Sequence, residues 1–219
     1  SNTTGAQHTY IGYQAGHNSY TNSSCTFVGH LTGTTNTATN ITAVGQSALQ
    51  ANTTGVGNNA FGVGALRLNT TGIGNNAFGG DVSGITGAAL YNNTTGSYNT
   101  AFGASALFNN TTASYNTAVG YQAGFANTTG TELTAVGNGA LYANTTGSAS
   151  TAIGNGALSN ASAGTSNTAV GAARAGVHGG CLQLLTTGSN NVGVGAGAGF
   201  GNNTGTVSYT HLTLPTILL

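Results

Sequence analysis

Charged side chains are almost absent from this sequence. Its 219 residues include two lysines or arginines and two aspartates or glutamates, so the formal net charge at pH 7 is zero. A neutral chain offers no electrostatic footprint for nucleic acid or for an anionic lipid surface, and neither is predicted as a partner. Calcium-binding solenoid repeats carry aspartate in each repeat, and the repeats of this chain do not.

The only two carboxylates, Asp81 and Glu132, are poorly placed for catalysis. They fall in different repeats, roughly 14 Å apart if each repeat advances ~4.8 Å. A catalytic carboxylate pair is separated by at most ~9.5 Å. The glycine-rich segments contain no lysine, which excludes a phosphate-binding loop. The sequence therefore predicts no enzymatic activity, no catalytic residue and no cofactor, and Arg67 and Arg174 are interpreted as solvated single charges.

Cysteine, proline and long apolar runs are scarce as well. The chain has two cysteines and one proline, and no apolar run is long enough to span a membrane. Cys25 and Cys181 are expected ~40 Å apart, too far for a disulfide. His8 lies 17 residues before Cys25, which raises a transition-metal site as an alternative. The spacing matches no metal-binding motif, so ordinary substitutions within the repeat are the preferred interpretation and no metal is predicted.

What the chain does contain is a repeat built on one large apolar residue followed by glycine, as at Val119-Gly120. This anchor returns every 17 residues, apart from one step of 16 and two steps of 24, which equal 17 + 7. A fixed period of this length is typical of a solenoid. The anchors are Ile11, Val28, Val44, Phe61, Phe78, Phe102, Val119, Val136, Ile153, Val170 and Val194.

Residues around the anchor are also repeated. Threonine usually stands two positions before it and alanine one before, as in Thr117-Ala118-Val119. Because side chains alternate along a strand, the threonine and the anchor share one face, which the β-branched and aromatic anchors predict to be the interior. Asn-Thr-Thr-Gly follows as a turn. The sequence thus predicts an all-β parallel β-solenoid over residues 1–206, with about eleven coils of two short strands each and an interior ladder of anchors.

On the opposite face this register places a stripe of alanines. A flat, uncharged stripe of small side chains is either a solvated surface or a subunit interface, and the interface is favoured because such a face would otherwise promote association. The predicted interface residues are Ala101, Ala118, Ala135, Ala152 and Ala169.

The two long steps indicate seven-residue insertions, near Gly80–Ile85 and near Ala175–Leu182. Insertions in solenoids form loops that often carry function. The predicted receptor loops comprise Asp81, Val82, Ser83, Gly84, Val177, His178 and Gly179. Asn-x-Thr sequences at Asn52, Asn69, Asn93, Asn127 and Asn144 match the glycosylation acceptor motif, but a turn role explains them.

The motif Asn116-Thr117-Ala118-Val119-Gly120 resembles the head repeats of YadA-like trimeric autotransporter adhesins. The longer form, with Tyr-Gln-Ala and Asn-Thr-Thr-Gly, is similar to repeat arrays of phage and bacterial tail-fibre-domain proteins. The resemblance covers about residues 1–206 and implies a left-handed β-roll, a homotrimer, and surface attachment at a cell surface, in the outer membrane, or on a virion tail. Adhesin heads repeat every ~14 residues, whereas this chain repeats at 17, so its turns or cross-section differ.

Residues 207–219 break the repeat pattern and contain the only proline, Pro215. The stretch resembles a translated sequencing-adapter sequence and is predicted to be artefactual or disordered, with a C-terminal cap as the alternative. Since Ser1 already lies within a repeat, the chain is expected to be a fragment.

Two functional hypotheses remain, and a third, an enzyme, would need a site supplied by a partner chain. The first is a non-enzymatic segment of an extracellular adhesin or tail fibre that acts as a spacer or contacts a host-cell or matrix receptor. The alternative is an ice- or carbohydrate-binding solenoid that uses the threonine column. The predicted register disfavours this alternative, since it turns the threonines inward.

Overall fold

The computed structural model describes residues 5–19, 21–81, 87–173, 179–201, 204–205 and 209–211. These residues form a single parallel sheet of twelve strands in sequential order. The strands are β1 (His8–Ile11), β2 (Cys25–Val28), β3 (Ile41–Val44), β4 (Asn59–Phe61), β5 (Asn76–Phe78), β6 (Thr100–Phe102), β7 (Thr117–Val119), β8 (Thr134–Val136), β9 (Thr151–Ile153), β10 (Thr168–Val170), β11 (Val192–Val194) and β12 (Tyr209–His211). The predicted parallel β-solenoid is therefore confirmed; its handedness and subunit number stay predictions.

The strand register follows the period of the sequence. Val119 pairs with Val136, a step of 17 residues. The step from β2 to β3 is 16, and the steps from β5 to β6 and from β10 to β11 are 24. The two seven-residue insertions are thus accommodated without breaking the sheet, because each leaves the coil between two strands that still pair in register.

Within the described ranges each coil has one strand, so the prediction of two strands per coil is wrong. On the far side of the coil the backbone adopts left-handed conformations at alternate residues, with φ of 59° at Ser105 and 50° at Leu107. Such residues cannot belong to an extended strand. Coils still bond to each other there, as Leu107 N donates to Ala123 O at 2.9 Å.

The predicted inside and outside of the strand are reversed. Ala118, the middle residue of β7, is fully buried, whereas Val119 is 38% exposed. All five alanines predicted as a subunit interface are interior residues with at most 1% exposure: Ala101, Ala118, Ala135, Ala152 and Ala169. None of the eleven predicted core anchors is buried: Ile11, Val28, Val44, Phe61, Phe78, Phe102, Val119, Val136, Ile153, Val170 and Val194 are all partly or largely exposed.

The reason for the reversal is the narrow interior of a 17-residue coil. Most coils fill it with one large apolar side chain, a leucine from the left-handed turn such as Leu107, which leaves room only for alanine on the strand. In the second coil the large side chain comes from the strand instead of the left-handed turn. There Phe27 enters from the strand, and a Cβ at Gly33 would lie 2.7 Å from its ring. One position is large only where the other is small, as close packing requires.

One strand of the sheet lies beyond the boundary predicted at residue 206. β12 lies within the predicted tail and pairs with β11, with Tyr209 opposite Val192, again a step of 17. At least these three residues extend the sheet, so a boundary between residues 206 and 207 does not mark its end. The other residues of 207–219 lie outside the described residues.

Candidate functional site

The outward face of the sheet carries a column of threonines beside the column of anchors. Thr117 and Val119 flank the buried Ala118 and stack on Thr134 and Val136 of the next coil. We call the column of eleven anchors the anchor stripe. Since neighbouring strands are ~4.8 Å apart, its ten steps span roughly 48 Å along the solenoid. The stripe contains only Val, Ile and Phe, so its chemistry is apolar throughout.

Three phenylalanines form the most prominent part of the anchor stripe. The rings of Phe61 and Phe78 stack with centroids 4.7 Å apart, and those of Phe78 and Phe102 stack at 5.6 Å. Phe102 nevertheless stays 58% exposed. Stacking within the chain thus leaves much apolar surface uncovered, and this surface can be removed from water only by packing against another molecule.

The asparagines of the Asn-x-Thr sequences point into the coil rather than into solvent. Asn127 is fully buried, and its Nδ2 donates to Asn110 Oδ1 at 2.9 Å and to Gly130 O at 2.9 Å. Asn144 repeats the arrangement on Asn127. The same column, with 0% exposure throughout, includes Asn52, Asn69, Asn93 and Asn110. A buried amide within a hydrogen-bonded ladder is not accessible as a glycan acceptor in the folded chain.

A second interior column stands before the strands. Asn116 Oδ1 accepts from Leu133 N of the next coil at 2.9 Å, and its Nδ2 donates to Gly130 O at 3.0 Å. Each such side chain ties the start of a strand to the turn that closes the coil. Buried amides are tolerated here because their hydrogen-bonding capacity is largely used.

Both seven-residue insertions leave the coil at the same point. Ala89 N donates to Gly79 O at 2.9 Å, and Cys181 N donates to Gly171 O at 3.1 Å. In a regular coil the same bond closes a turn of four residues, as from Ala123 N to Gly120 O. The two loop bases are five strands apart, roughly 24 Å. Of the predicted receptor residues, the structure describes Asp81, which is exposed, and Gly179; Val82, Ser83, Gly84, Val177 and His178 lie outside the described residues.

Arg67 is not a simple solvated charge, contrary to the sequence interpretation. Its Nε donates to Gln50 Oε1 at 2.9 Å and its Nη1 donates to Tyr91 Oη at 2.7 Å. The guanidinium carbon lies 5.7 Å from the centroid of the Tyr91 ring. Arg67 also lines a surface cleft at the base of the first insertion together with Asp81. The spacing of 24 residues between Arg67 and Tyr91, equal to the long step, was the sequence signal for this contact.

The described cysteines are both buried, and one of them lies beside a histidine of the neighbouring coil. Cys25 and Cys181 are buried free thiols, and burial raises the pKa of both above the ordinary 9.0. His8 stacks in register on Cys25, as the period predicts. In the part of the chain that the structure describes, no group of three or more His, Cys, Asp or Glu residues could hold a metal ion. Within the same ranges no helix has the length and apolarity to cross a membrane.

Comparison with known proteins identifies no protein similar to this chain. No protein-family model, curated protein or solved structure matches the chain. The repeat therefore has to be interpreted from its own residues. Sequence reasoning found the period, both insertions and the anchors, but missed the outward direction of the anchors and the cluster around Arg67.

Proposed function

We propose that this chain is a non-enzymatic structural segment of a trimeric surface fibre, either a bacterial adhesin or a phage tail fibre. The observation that carries the proposal is the anchor stripe, which is apolar, uncharged and continuous over roughly 48 Å. Soluble monomers rarely expose an apolar patch of more than a few hundred Å², and larger ones mark interaction sites. The resemblance to adhesin and tail-fibre repeats agrees with such a role and with a location outside the cell or on a virion tail.

The stripe favours assembly with copies of the same chain. It runs parallel to the axis of the solenoid, so three chains related by a rotation axis along that direction would bring their stripes together. Each Val or Phe would then leave water without needing a complementary charge. This arrangement replaces the interface predicted on the alanine stripe, which lies inside the coil.

Sedimentation equilibrium of the 219-residue chain tests the assembly. The expected result is a species of three chains that dissociates in the double variant Val119→Glu and Val136→Glu, because adjacent buried carboxylates are strongly unfavourable. Thr129→Glu, at an exposed turn position, serves as the control and should remain trimeric. A folded wild-type monomer would rule out the proposed assembly.

Attachment is assigned to the two insertions, since these loops are the places where the regular coil is interrupted. The partner would be a host-cell or matrix receptor. Deleting Gly80–Ile85 should weaken binding to cells or matrix while leaving the sedimentation behaviour unchanged. Full retention of binding in this variant would exclude the first loop as the contact.

The outward threonine column favours an ice-binding solenoid as a second candidate. Thr117, Thr134 and Thr151 lie in register on the outer face, so the objection that they point inward no longer holds. The ice-binding surface would be the face that the trimer buries. Thermal hysteresis in a folded monomer would support this candidate, whereas a stable trimer without hysteresis would support the fibre segment. Carbohydrate recognition by the same column is the related alternative.

A further inference from the structure

We infer that the base of the first insertion binds one acidic saccharide unit. This inference rests on the proposed attachment function and names a ligand class for it. A cleft of about 180 Å³ is lined there by Gln46, Ser47, Val63, Arg67, Asp81 and Tyr91. Sites for drug-sized ligands start at roughly 300 Å³, so a cleft of this size suits a single small unit.

The cleft concentrates charge in a chain that has almost none. Two of the four formally charged residues of the sequence, Arg67 and Asp81, line it. They have opposite signs, so the cleft offers donors to an anionic group and acceptors to hydroxyl groups. The remaining polar side chains, Gln46 and Ser47, add neutral hydrogen-bonding groups next to the exposed Val63.

Arg67 is held in place before any ligand arrives. Its bonds to Gln50 and Tyr91 use two of the five N–H donors of the guanidinium and fix the plane of the group. Tyr91 is itself held by stacking on Phe108, with ring centroids 5.5 Å apart. A fixed guanidinium loses little side-chain entropy when it binds a carboxylate with two parallel hydrogen bonds.

The second insertion shows that these residues are not needed to build the loop. Asp81 N donates to Val63 O at 2.9 Å, and the corresponding Ala173 N donates to Asn155 O at 2.8 Å. The backbone therefore leaves the coil in the same way at both places. In the second insertion, however, the positions of Arg67, Asp81 and Tyr91 are taken by Ser159, Ala173 and Gln183.

A uronic or sialic acid unit satisfies this set of groups. Its carboxylate would accept the remaining Arg67 donors, its ring hydroxyls would donate to the Asp81 carboxylate, and its C–H face would pack against Val63. A neutral sugar would leave the guanidinium without an anionic acceptor. A simple anion would give Asp81 no donor.

The test is a pair of calorimetric titrations of the full chain with methyl β-glucuronide and methyl β-glucoside, which differ at C6 by a carboxylate in place of a hydroxymethyl group. The glucuronide should bind at least about tenfold more tightly, since charge-assisted bidentate bonds are the strong ones. Arg67→Ser, which installs the residue found at the second insertion, should reduce glucuronide affinity to that of the glucoside. Glu132→Gln removes the other carboxylate and should leave both affinities unchanged.

Equal affinity for the two glycosides, absence of binding, or full glucuronide affinity in Arg67→Ser would overturn the inference. Displacement of the glucuronide by glycine at equal concentration would also overturn it, because the cleft would then recognise a zwitterion. Sedimentation of the same samples separates the two proposals. A trimer that binds no glucuronide contradicts only the saccharide site, whereas a monomer that binds it contradicts only the assembly.

Discussion

At the scale of single residues, the interior asparagines set the hydrogen-bond pattern of the coil. Asn127 donates twice through Nδ2 and accepts at Oδ1 from Asn144 and from Gly130 N. Asn144 donates to Asn127 and to Gly147 O, but its buried Oδ1 has no partner. The reason is that Ala161 occupies the next position of the column, so the ladder ends there.

Asn127→Ala should therefore destabilise the chain more than Asn144→Ala does. The first change removes four hydrogen bonds and the second removes two, and a typical bond contributes about 1 kcal/mol net. We expect a difference of about 2 kcal/mol between the two free energies of unfolding, measured by urea titration. The variants are matched, because both asparagines are fully buried and both begin an Asn-Thr-Thr-Gly turn. Equal losses would show that the ladder bonds contribute little.

Glycine after the anchor allows coils to approach closely. Gly120 has φ of 133°, and a Cβ there would lie 2.7 Å from the carbonyl oxygen of Gly137 in the next coil. Gly139 has φ of 61°, and nothing lies within 4 Å of the place that a Cβ would take. The two glycines thus separate the effect of packing from that of backbone conformation.

Gly120→Ala should lower the free energy of unfolding by at least about 3 kcal/mol, since strained backbone and a clash with backbone atoms combine. Gly139→Ala should cost about 1 kcal/mol, the penalty for a left-handed residue with a free Cβ. Urea or thermal unfolding of the two variants measures both losses of stability. A smaller loss for Gly120→Ala than for Gly139→Ala would contradict the close approach.

At the scale of the element, each coil is one short strand plus a left-handed turn region, and a loop can be inserted between them. The bond from Ala89 N to Gly79 O closes the base of the first loop. The coil on either side of the loop keeps its register. The insertion is therefore accommodated without a change of register, and only its two ends bond to neighbouring coils in the described residues, through Asp81 N to Val63 O and through Ser105 N to Gly87 O.

Excising residues 81–87, which joins Gly80 to Ala88, should restore a regular 17-residue coil. We expect the free energy of unfolding to change by no more than about 1 kcal/mol, because surface loops contribute mainly closure entropy. Circular dichroism and urea unfolding provide the measurement. The control excises residues 121–127 from a regular coil, which removes Ala123 and Asn127 from the interior. This control should not unfold cooperatively; if both deletions behave alike, the loop is not independent of the solenoid.

At the scale of the whole molecule, stability comes from stacking, because a coil with one leucine, two small apolar residues and two asparagines cannot offset its own ordering entropy. Electrostatics contributes little in a chain with four formal charges. The buried thiols make the free energy of unfolding depend on pH in the alkaline range. Burial raises the pKa of Cys25 and Cys181 above 9.0.

The free energy of unfolding should therefore be constant from about pH 7 to about pH 8 and fall as the pH rises through about 9. Above the ordinary thiol pKa the unfolded chain releases protons that the folded chain retains. A rise in pH therefore stabilises the unfolded state relative to the folded state. Urea titrations across this range should show a shallower fall for the double variant Cys25→Ala and Cys181→Ala. Tyr10, whose pKa burial also raises above 10.0, adds a fall only at higher pH. An identical slope in the double variant would exclude the thiols as its source.

The sequence by itself determined the period, the parallel register and the place of both insertions. Pairs such as Val119 and Val136 lie opposite each other because a repeated coil returns every residue type to the same place. The Asn-Thr-Thr-Gly turn was also found, since asparagine and glycine punctuate chains strongly. These features depend on local chemistry and on the period of the repeat, and both can be determined from the sequence alone.

Only the tertiary structure decided which face is inside. Alternation along a strand indicates that Ala118 and Val119 point to opposite faces of the sheet. It does not indicate which of the two faces the interior of the coil. The choice follows from interior volume: in most coils a leucine such as Leu107 and the two asparagine columns leave space only for alanine on the strand, whereas Phe27 enters from the strand where Gly33 takes the place of the leucine. The Arg67 cluster was hidden for a similar reason, since its members come from successive coils and meet only after stacking. Volume and stacking are properties of the closed coil, and no single repeat contains them.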